Sequence, residues 1–310
     1  MTDQRDLDFY SIKRGRHDLR NGMSFVRQQT MHIKLKKTPK AGRTPEQIRR
    51  HYEVEKRLAR KLKETQSRED RKTLYRTMYD KLFEEVPDHP RLQGLRSRID
   101  ERRVILSKST CVERFLDKSA TIVEFGPGDC NFLLSICDRV KKAYGVDISD
   151  QRDLSKKTPS NFELIVYDGY DPKIEAASAD LVFSDQLIEH IHPDDIQDHF
   201  RMVKQILRPG GRYVFRTPHR FSGPHDVSGF FSDDAEGFHL CEWTYFDLKR
   251  IVSACGYSRW ESYWCAKRIF AKIPVCVFCL LESILDRLPK RLKKMATRVL
   301  LPSITAAAIK

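Results

Sequence analysis

No apolar run in this 310-residue chain is long enough to cross a bilayer. The nearest, Ile273 to Leu281, is nine residues with Pro274 inside it. An apolar leader is missing as well: Met1 to Tyr10 carries Asp3, Asp6 and Asp8 where a secretion signal needs a hydrophobic core, so export is not expected and a cytoplasmic location is. The eight cysteines follow no repeated spacing. Cys276 and Cys279 form a C-x-x-C, but no second pair completes a zinc set, so reduced thiols are expected. No ligand cluster for a metal is legible, and none is assigned.

Acidic residues are scarce only after residue 270, where two stand against eight basic ones, whereas the first 110 residues owe their charge to 29 Lys/Arg against 16 Asp/Glu. The formal charge of +14 divides into +13 over residues 1–110, −5 over 111–270 and +6 over 271–310. Basic character therefore belongs to the flanks and bears on what the protein touches rather than on what it catalyses. From Lys13 to Arg43 there are ten basic residues against one acid, Asp18, with few apolar positions, which predicts a flexible arm over 1–44. Pro45 then opens a helical stretch. Tyr52, Leu58 and Leu62 are followed by Leu74, Tyr75, Met78, Tyr79, Leu82, Phe83 and Val86, a spacing that buries one face. Pro87 and Pro90 break it, and Leu92, Leu95 and Ile99 suggest a further helix, so that 45–110 reads as a helical extension, either plain packing or a lid.

The densest signal lies in Val123 to Asp129, an apolar run that meets Glu124 and turns through Gly126, Pro127 and Gly128. Phe132, Leu133, Ile136 and Val140 follow at helical spacing, and Ala143 to Val146 ends on Asp147. A strand that turns through glycines into a helix presents backbone N–H groups to a polar ligand. A dinucleotide fingerprint would want glycine at 131, where Asn131 stands. Phe162 to Tyr167 reads as a third strand delivering Asp168 and Gly169, and Ala179 to Phe183 as a fourth delivering Ser184, Asp185 and Gln186. Pro209 to Gly211 ends a helix before a fifth strand through Tyr213, Val214 and Phe215, and Trp260 to Trp264 reads as a sixth. Strands alternating with helices predict an α/β, mostly parallel sheet with its ligands outside the carboxyl ends.

The acid and alternating glycines, Glu124, Gly126 and Gly128, together with the ordered strand tips, resemble the class I S-adenosylmethionine-dependent methyltransferases of the type 11/23 group. The likeness spans roughly residues 112–271, and Cys130 stands where a third glycine is usual. It implies a Rossmann-like sheet of seven strands flanked by helices within 111–310, with Ser303 to Ile309 returning as the final antiparallel strand. It also implies S-adenosylmethionine as cofactor, with Gly126, Pro127 and Gly128 under its methionine part and Glu124 near its amino group. Asp147 would lie at the ribose hydroxyls, Asp168 and Gly169 at the adenine, and Ser184 and Gln186 beside the sulfonium.

A hydroxyl acceptor needs a base, and imidazole titrates near neutrality. His190 is the first candidate, with His219 and His225 next and His239 a further residue on the substrate side. The tip Ser184 to Leu187 lacks the polar, double-proline and aromatic pattern of amino-directed nucleic-acid methyltransferases. The expected activity is O-methylation of a small-molecule, glycan or lipid-linked acceptor. An RNA methyltransferase using the basic arm, and an S-adenosylmethionine-binding protein without turnover, stay open as alternatives. Residues 273–300 form an insertion in which Leu285, Leu288, Leu292, Met295 and Val299 alternate with basic residues. That insertion either packs on the sheet or lies on an anionic membrane, the latter a peripheral place at the inner face.

Overall fold

Thr44 begins the first helix by local chemistry. Its hydroxyl accepts from the Gln47 backbone while the Gln47 side chain accepts from the Thr44 N–H, and Pro45 fills the first helical position, where no donor is needed. In the computed structural model, which describes residues 35–38, 42–92, 98–155, 157–266 and 269–310, the elements run as follows. Helices α1 (Pro45–Glu64), α2 (Arg68–Glu85) and α3 (Arg98–Val112) precede β1 (Thr121–Phe125), α4 (Asn131–Ile136), β2 (Lys142–Asp147) and β3 (Phe162–Val166). Next come β4 (Ala179–Asp185), α5 (Ile196–Ile206), β5 (Leu207–Thr217), α6 (Tyr245–Ala254) and β6 (Arg259–Ala266). The chain ends with β7 (Ile269–Ile273), α7 (Val275–Asp286), α8 (Lys290–Leu300) and β8 (Ile304–Ile309). The arm expected over 1–44 lies almost wholly outside the described residues, which all belong to one unit, Lys34–Lys310.

The sheet order is β3-β2-β1-β4-β5-β8-β6-β7. The first five strands pair in parallel, and β8 pairs antiparallel with both β5 and β6. The expected seven strands are present, and an eighth, β7, is added as an antiparallel hairpin partner at the β6 edge. Pro209 to Gly211 lies inside β5 rather than before it, where the β4 pairing is irregular between Ala179 and Leu181.

Alternation builds two layers. On β1 Ile122 faces a cluster with Phe132, Leu133 and Cys111, whereas Val123 and Phe125 face one with Ile196, Phe200 and Leu248. Tyr213 and Phe215 of β5 join the second cluster and Val214 the first. A parallel strand covered on both faces is apolar along its length, which is why β1 reads as a continuous run.

A third cluster belongs to the extension. Val54, Leu58 and Leu62 of α1 meet Met78 and Leu82 of α2, and Phe238 and Leu240 from the loop after β5 close the group. Arg71 secures the hairpin to the sheet domain. Its guanidinium donates to both oxygens of buried Asp195 at 2.8 and 2.6 Å and to the carbonyls of Thr65 and Gln66, so one side chain ties the α1–α2 turn to the segment after β4. A forked donor fits this role because five N–H groups meet a carboxylate and two carbonyls without leaving a buried charge unpaired. The extension therefore packs over the carboxyl ends of the strands and serves as a cover.

Candidate functional site

The first strand tip is shaped by two glycines. Gly126 and Gly128 have φ of +67° and +59°, a region where a Cβ is strained, and a side chain at 126 would meet Leu187 at 3.2 Å. Cys130 holds the same left-handed conformation at φ 59°, at a cost of about 1 kcal/mol, so the usual glycine there has a backbone reason. Gly126 N–H extends the sheet to the Val146 carbonyl at 2.8 Å. Gly128 N–H donates to Asp147 Oδ2 at 3.1 Å and Ile148 N–H to Oδ1 at 2.7 Å, which fixes the Asp147 carboxylate at the end of β2. Burial raises the Asp147 carboxyl above its ordinary value, and the N–H donors of Gly128, Ile148 and Ser149 oppose this.

These tips wall a cavity of about 550 Å³. Gly126, Gly128, Asp147, Gly169, Gln186 and His190 line it, so six of the thirteen residues singled out in the sequence meet there. Tyr75, Met78 and Tyr79 of α2 contribute to its wall, with Arg68, Arg91, Tyr167 and Tyr170. The volume is of the size that takes a nucleoside-sized ligand.

The other candidates stand elsewhere. Glu124 is fully buried behind the glycine turn, where Lys108 of α3 donates to Oε1 at 2.7 Å and Oε2 has no partner among the described residues. Burial raises the Glu124 carboxyl, with Lys108 opposing. Pro127 packs toward Gly145 and Asp168 caps its own turn, accepting from the Tyr170 and Asp171 N–H groups at 2.9 and 3.0 Å with Lys72 at 3.4 Å. Desolvation works against the charged Asp168, but those donors hold its carboxyl below the ordinary value. Ser184 is buried in a chain of hydroxyls: Ser184 Oγ to Tyr213 Oη is 2.8 Å and Tyr213 Oη to His199 Nε2 is 2.9 Å. His199 itself lines the cavity, and burial lowers its pKa to about 3.

The three histidines separate. His190 is at the cavity, with Nδ1 2.9 Å from the Phe238 carbonyl, and burial lowers it to about 3, so the ring is neutral. A carbonyl only accepts, which puts the proton on Nδ1 and leaves Nε2 as a lone pair. His219 is closed to solvent: Nε2 lies 2.8 Å from Glu282 Oε1 of α7, and Nδ1 accepts from Phe221 N–H. His225 Nε2 lies 2.9 Å from Ser222 Oγ, and burial lowers its pKa. Neither ring lines the cavity. Beside His190 stand Glu189, pushed up to about 7 by burial, and His239, whose ring meets that of His190 at a centroid distance of 4.9 Å. The spacing of Tyr75 and Tyr79 marks a buried face but not its place at the cavity, and nothing local marks His199 or Arg71, because their roles depend on which distant segment each faces.

Residues 123–215 match the model of a family described as a methyltransferase domain. No curated protein matches the chain. Among solved structures, it is similar to phosphoethanolamine N-methyltransferase 2 of Haemonchus contortus, in complex with phosphomonomethylethanolamine and S-adenosylhomocysteine. That likeness is at 16% identity over 68% of this chain and 53% of that one, with a TM-score of 0.47. The YcgJ protein of Bacillus subtilis is similar at 13% identity over 69% and 99%, TM-score 0.45. A SAM-dependent methyltransferase from Aquifex aeolicus is similar at 13% over 56% and 90%, TM-score 0.41.

The buried Lys108–Glu124 pair yields a prediction. Lys108→Met leaves Glu124 with burial unopposed, destabilising the chain by about 3 kcal/mol near neutral pH. A carboxyl whose folded pKa lies above the unfolded one contributes stability below the unfolded pKa and loses it as pH rises through the folded pKa. The deficit is therefore smallest below the ordinary carboxylate range and grows with pH. Urea unfolding of both proteins at acidic and neutral pH checks this, and a deficit independent of pH contradicts it.

Proposed function

We propose, on the premise that residues 123–215 are a class I S-adenosylmethionine-dependent methyltransferase domain, that this enzyme methylates an oxygen of a small or lipid-linked acceptor. The observation that carries this reading is the single cavity shared by Gly126, Gly128, Asp147, Gly169, Gln186 and His190 under the cover of α2. S-adenosylmethionine supplies a methyl group on a cationic sulfonium, ready for in-line displacement by a nucleophile.

The residues present suit that cofactor. Among the described residues nothing lies within 4 Å of the position a Cβ would take at Gly128, so the turn is open to the cavity. The Asp147 carboxylate accepts from the Gly128, Ile148 and Ser149 N–H groups, and of its roughly four lone-pair sites one is left for a ribose hydroxyl. Gly169, at φ +91°, leaves room for a base. Glu124 Oε2 is buried behind the glycine turn with no hydrogen-bond partner among the described residues, and an ammonium group would have to displace the turn to reach it. His190 presents its Nε2 lone pair on the acceptor side, next to Glu189 and His239. Positioning supplies most of the rate in a displacement of this kind, and the α2 cover held by Arg71 and Asp195 excludes water from it.

That cover also favours a small acceptor over a nucleic acid. The lining carries three arginines, Arg68, Arg91 and Arg201, and the tyrosines of α2 close one side. The same reading includes a lipid surface. No helix among the described residues is long and apolar enough to cross a membrane. On α7, Val277, Leu280 and Ile284 are exposed, and on α8 so are Leu292, Met295 and Val299, the last at 71%. Spacing of three and four puts each set on one helix face, and Lys290, Arg291 and Arg298 are exposed around the α8 set. An apolar face left bare among cations matches an interfacial helix, each cation gaining about 1 kcal/mol near anionic lipid. Leu285 of the stripe lies in the core with Leu288 packed against it, so the α7 end packs on the domain, and only the α8 part, Leu292, Met295 and Val299, is left bare.

Two measurements test this reading. Asp147→Ala removes one charged hydrogen bond of about 1.5 kcal/mol and lowers S-adenosylhomocysteine affinity about tenfold in calorimetry. Unchanged affinity removes Asp147 from the cofactor site. Replacing Leu292, Met295 and Val299 together by serine touches no buried contact and weakens sedimentation with phosphatidylglycerol-containing vesicles by about tenfold or more. Equal binding before and after the change, or no preference over phosphatidylcholine, contradicts the membrane reading.

A further inference from the structure

Glu189, His190 and His239 come from two segments fifty residues apart, and the fold brings one ligand-capable atom of each within 4.8 Å of the others. Each is prepared in a particular way. Glu189 is closed to solvent, with Oε2 accepting from Thr217 Oγ1 at 2.9 Å and Oε1 buried with no hydrogen-bond partner among the described residues. A buried carboxylate oxygen left bare is costly, and a fold retains it where something fills the gap. His190 gives its Nδ1 to the Phe238 carbonyl, and His239 gives its Nδ1 to Glu242 Oε1 at 2.8 Å. Each ring is therefore oriented by an acceptor on its far side. His190 keeps Nε2 as a lone pair, whereas burial works against a charged His239 but Glu242, Glu189 and Asp226 raise its pKa, so a cation at that ring takes the place of a proton. Glu242 is held in turn by the His225 N–H at 2.7 Å.

We infer that Glu189 Oε1, His190 and His239 bind a divalent transition-metal cation, one of manganese, iron, cobalt or zinc, at the acceptor end of the cavity. Two imidazoles and a carboxylate, with carbonyl and carboxylate partners on the outer nitrogens, are the donor set and outer shell such ions take. Three protein ligands leave coordination positions open, and His190 lines the cavity, so those positions face the space where an acceptor oxygen would lie. A cation there would fix a hydroxyl or a pair of neighbouring oxygens and favour the deprotonated form. His190 then acts as a ligand, and the acceptor's proton leaves to solvent. The sequence offered no reason to join these three residues, because their spacing follows no short metal-binding pattern.

A second histidine cluster is the natural control. His51, Glu55 and His89 also approach within 4.8 Å. There, however, His51 Nε2 is 2.8 Å from Glu55 Oε1 and its Nδ1 faces the Arg43 guanidinium at 2.9 Å. Glu55 Oε2 accepts from the Phe238 N–H. Both ring nitrogens of His51 and both oxygens of Glu55 are taken, and a fixed positive charge stands at the ring.

The metal's role in transfer rests on the methyltransferase reading, whereas its binding does not, so the two are measured apart. The full chain is stripped with a chelator and titrated with cobalt(II) alone, followed by visible absorption and calorimetry. One equivalent is expected, with affinity at least tenfold weaker in Glu189→Gln, His239→Asn and Glu242→Gln, and unchanged in His51→Gln. S-adenosylhomocysteine calorimetry on the same proteins reports on the cofactor site and on folding without any turnover. Absence of binding by the native chain overturns the inference, as does binding that follows His51 or is insensitive to Glu189 and His239. Metal binding without cofactor binding would sink the enzyme reading and leave the site standing.

Discussion

Parallel pairing in register is the constraint from which the site follows. Phe125 sits opposite both Val146 and Ser184, so β2, β1 and β4 stop at the same edge, and whatever residue each strand carries next is delivered to one place. Glycine follows β1, a carboxylate ends β2, and Gln186 in a left-handed conformation follows β4. A slip of one residue in any of these ladders would turn the buried positions outward and carry Asp147 or Gln186 away from the edge. The two apolar clusters on either side of the sheet enforce the register.

Covering that edge falls to the extension. Arg71 and Asp195 hold α2 against the segment after β4, and Tyr75 accepts from the His192 N–H at 2.8 Å, so the cover and the loop after β4 share contacts. One polar system thus joins α2, the third strand tip through Tyr170, which donates to Asp195 at 2.7 Å, and the loop carrying Glu189 and His190. The glycine-turn side and the His190 side of the cavity are consequently braced by the same helix hairpin, while α7 and α8 leave an apolar, cation-rimmed surface elsewhere on the chain.

Much of this was legible in the residues. Continuous apolar runs announced β1 and β4, the paired glycines marked the turn after β1, and the Leu, Met and Phe spacing of 74–86 announced α2. What escaped did so for physical reasons. The β7 strand is a short hairpin return whose residues look like the start of the apolar run that becomes α7. Pro209 to Gly211 carries the composition of a turn, yet it is held inside β5. His219 and His225 sit in a polar loop that suggested chemistry, but Glu282 lies 63 residues beyond His219, and no local pattern discloses that partner. The cavity lining from α2 and the meeting of His239 with Glu189 are likewise long-range, fixed by packing rather than by spacing.

The central claim is that successive strand tips hold one adenosyl cofactor beneath α2. A crystal structure of the full chain with S-adenosylhomocysteine tests it most directly. The account predicts a ribose hydroxyl on the Asp147 carboxylate, the glycine turn Gly126 to Gly128 against the amino-acid part, and Tyr75 or Tyr79 over the ligand. A ligand bound outside this cavity, or one that leaves Asp147 untouched, contradicts it.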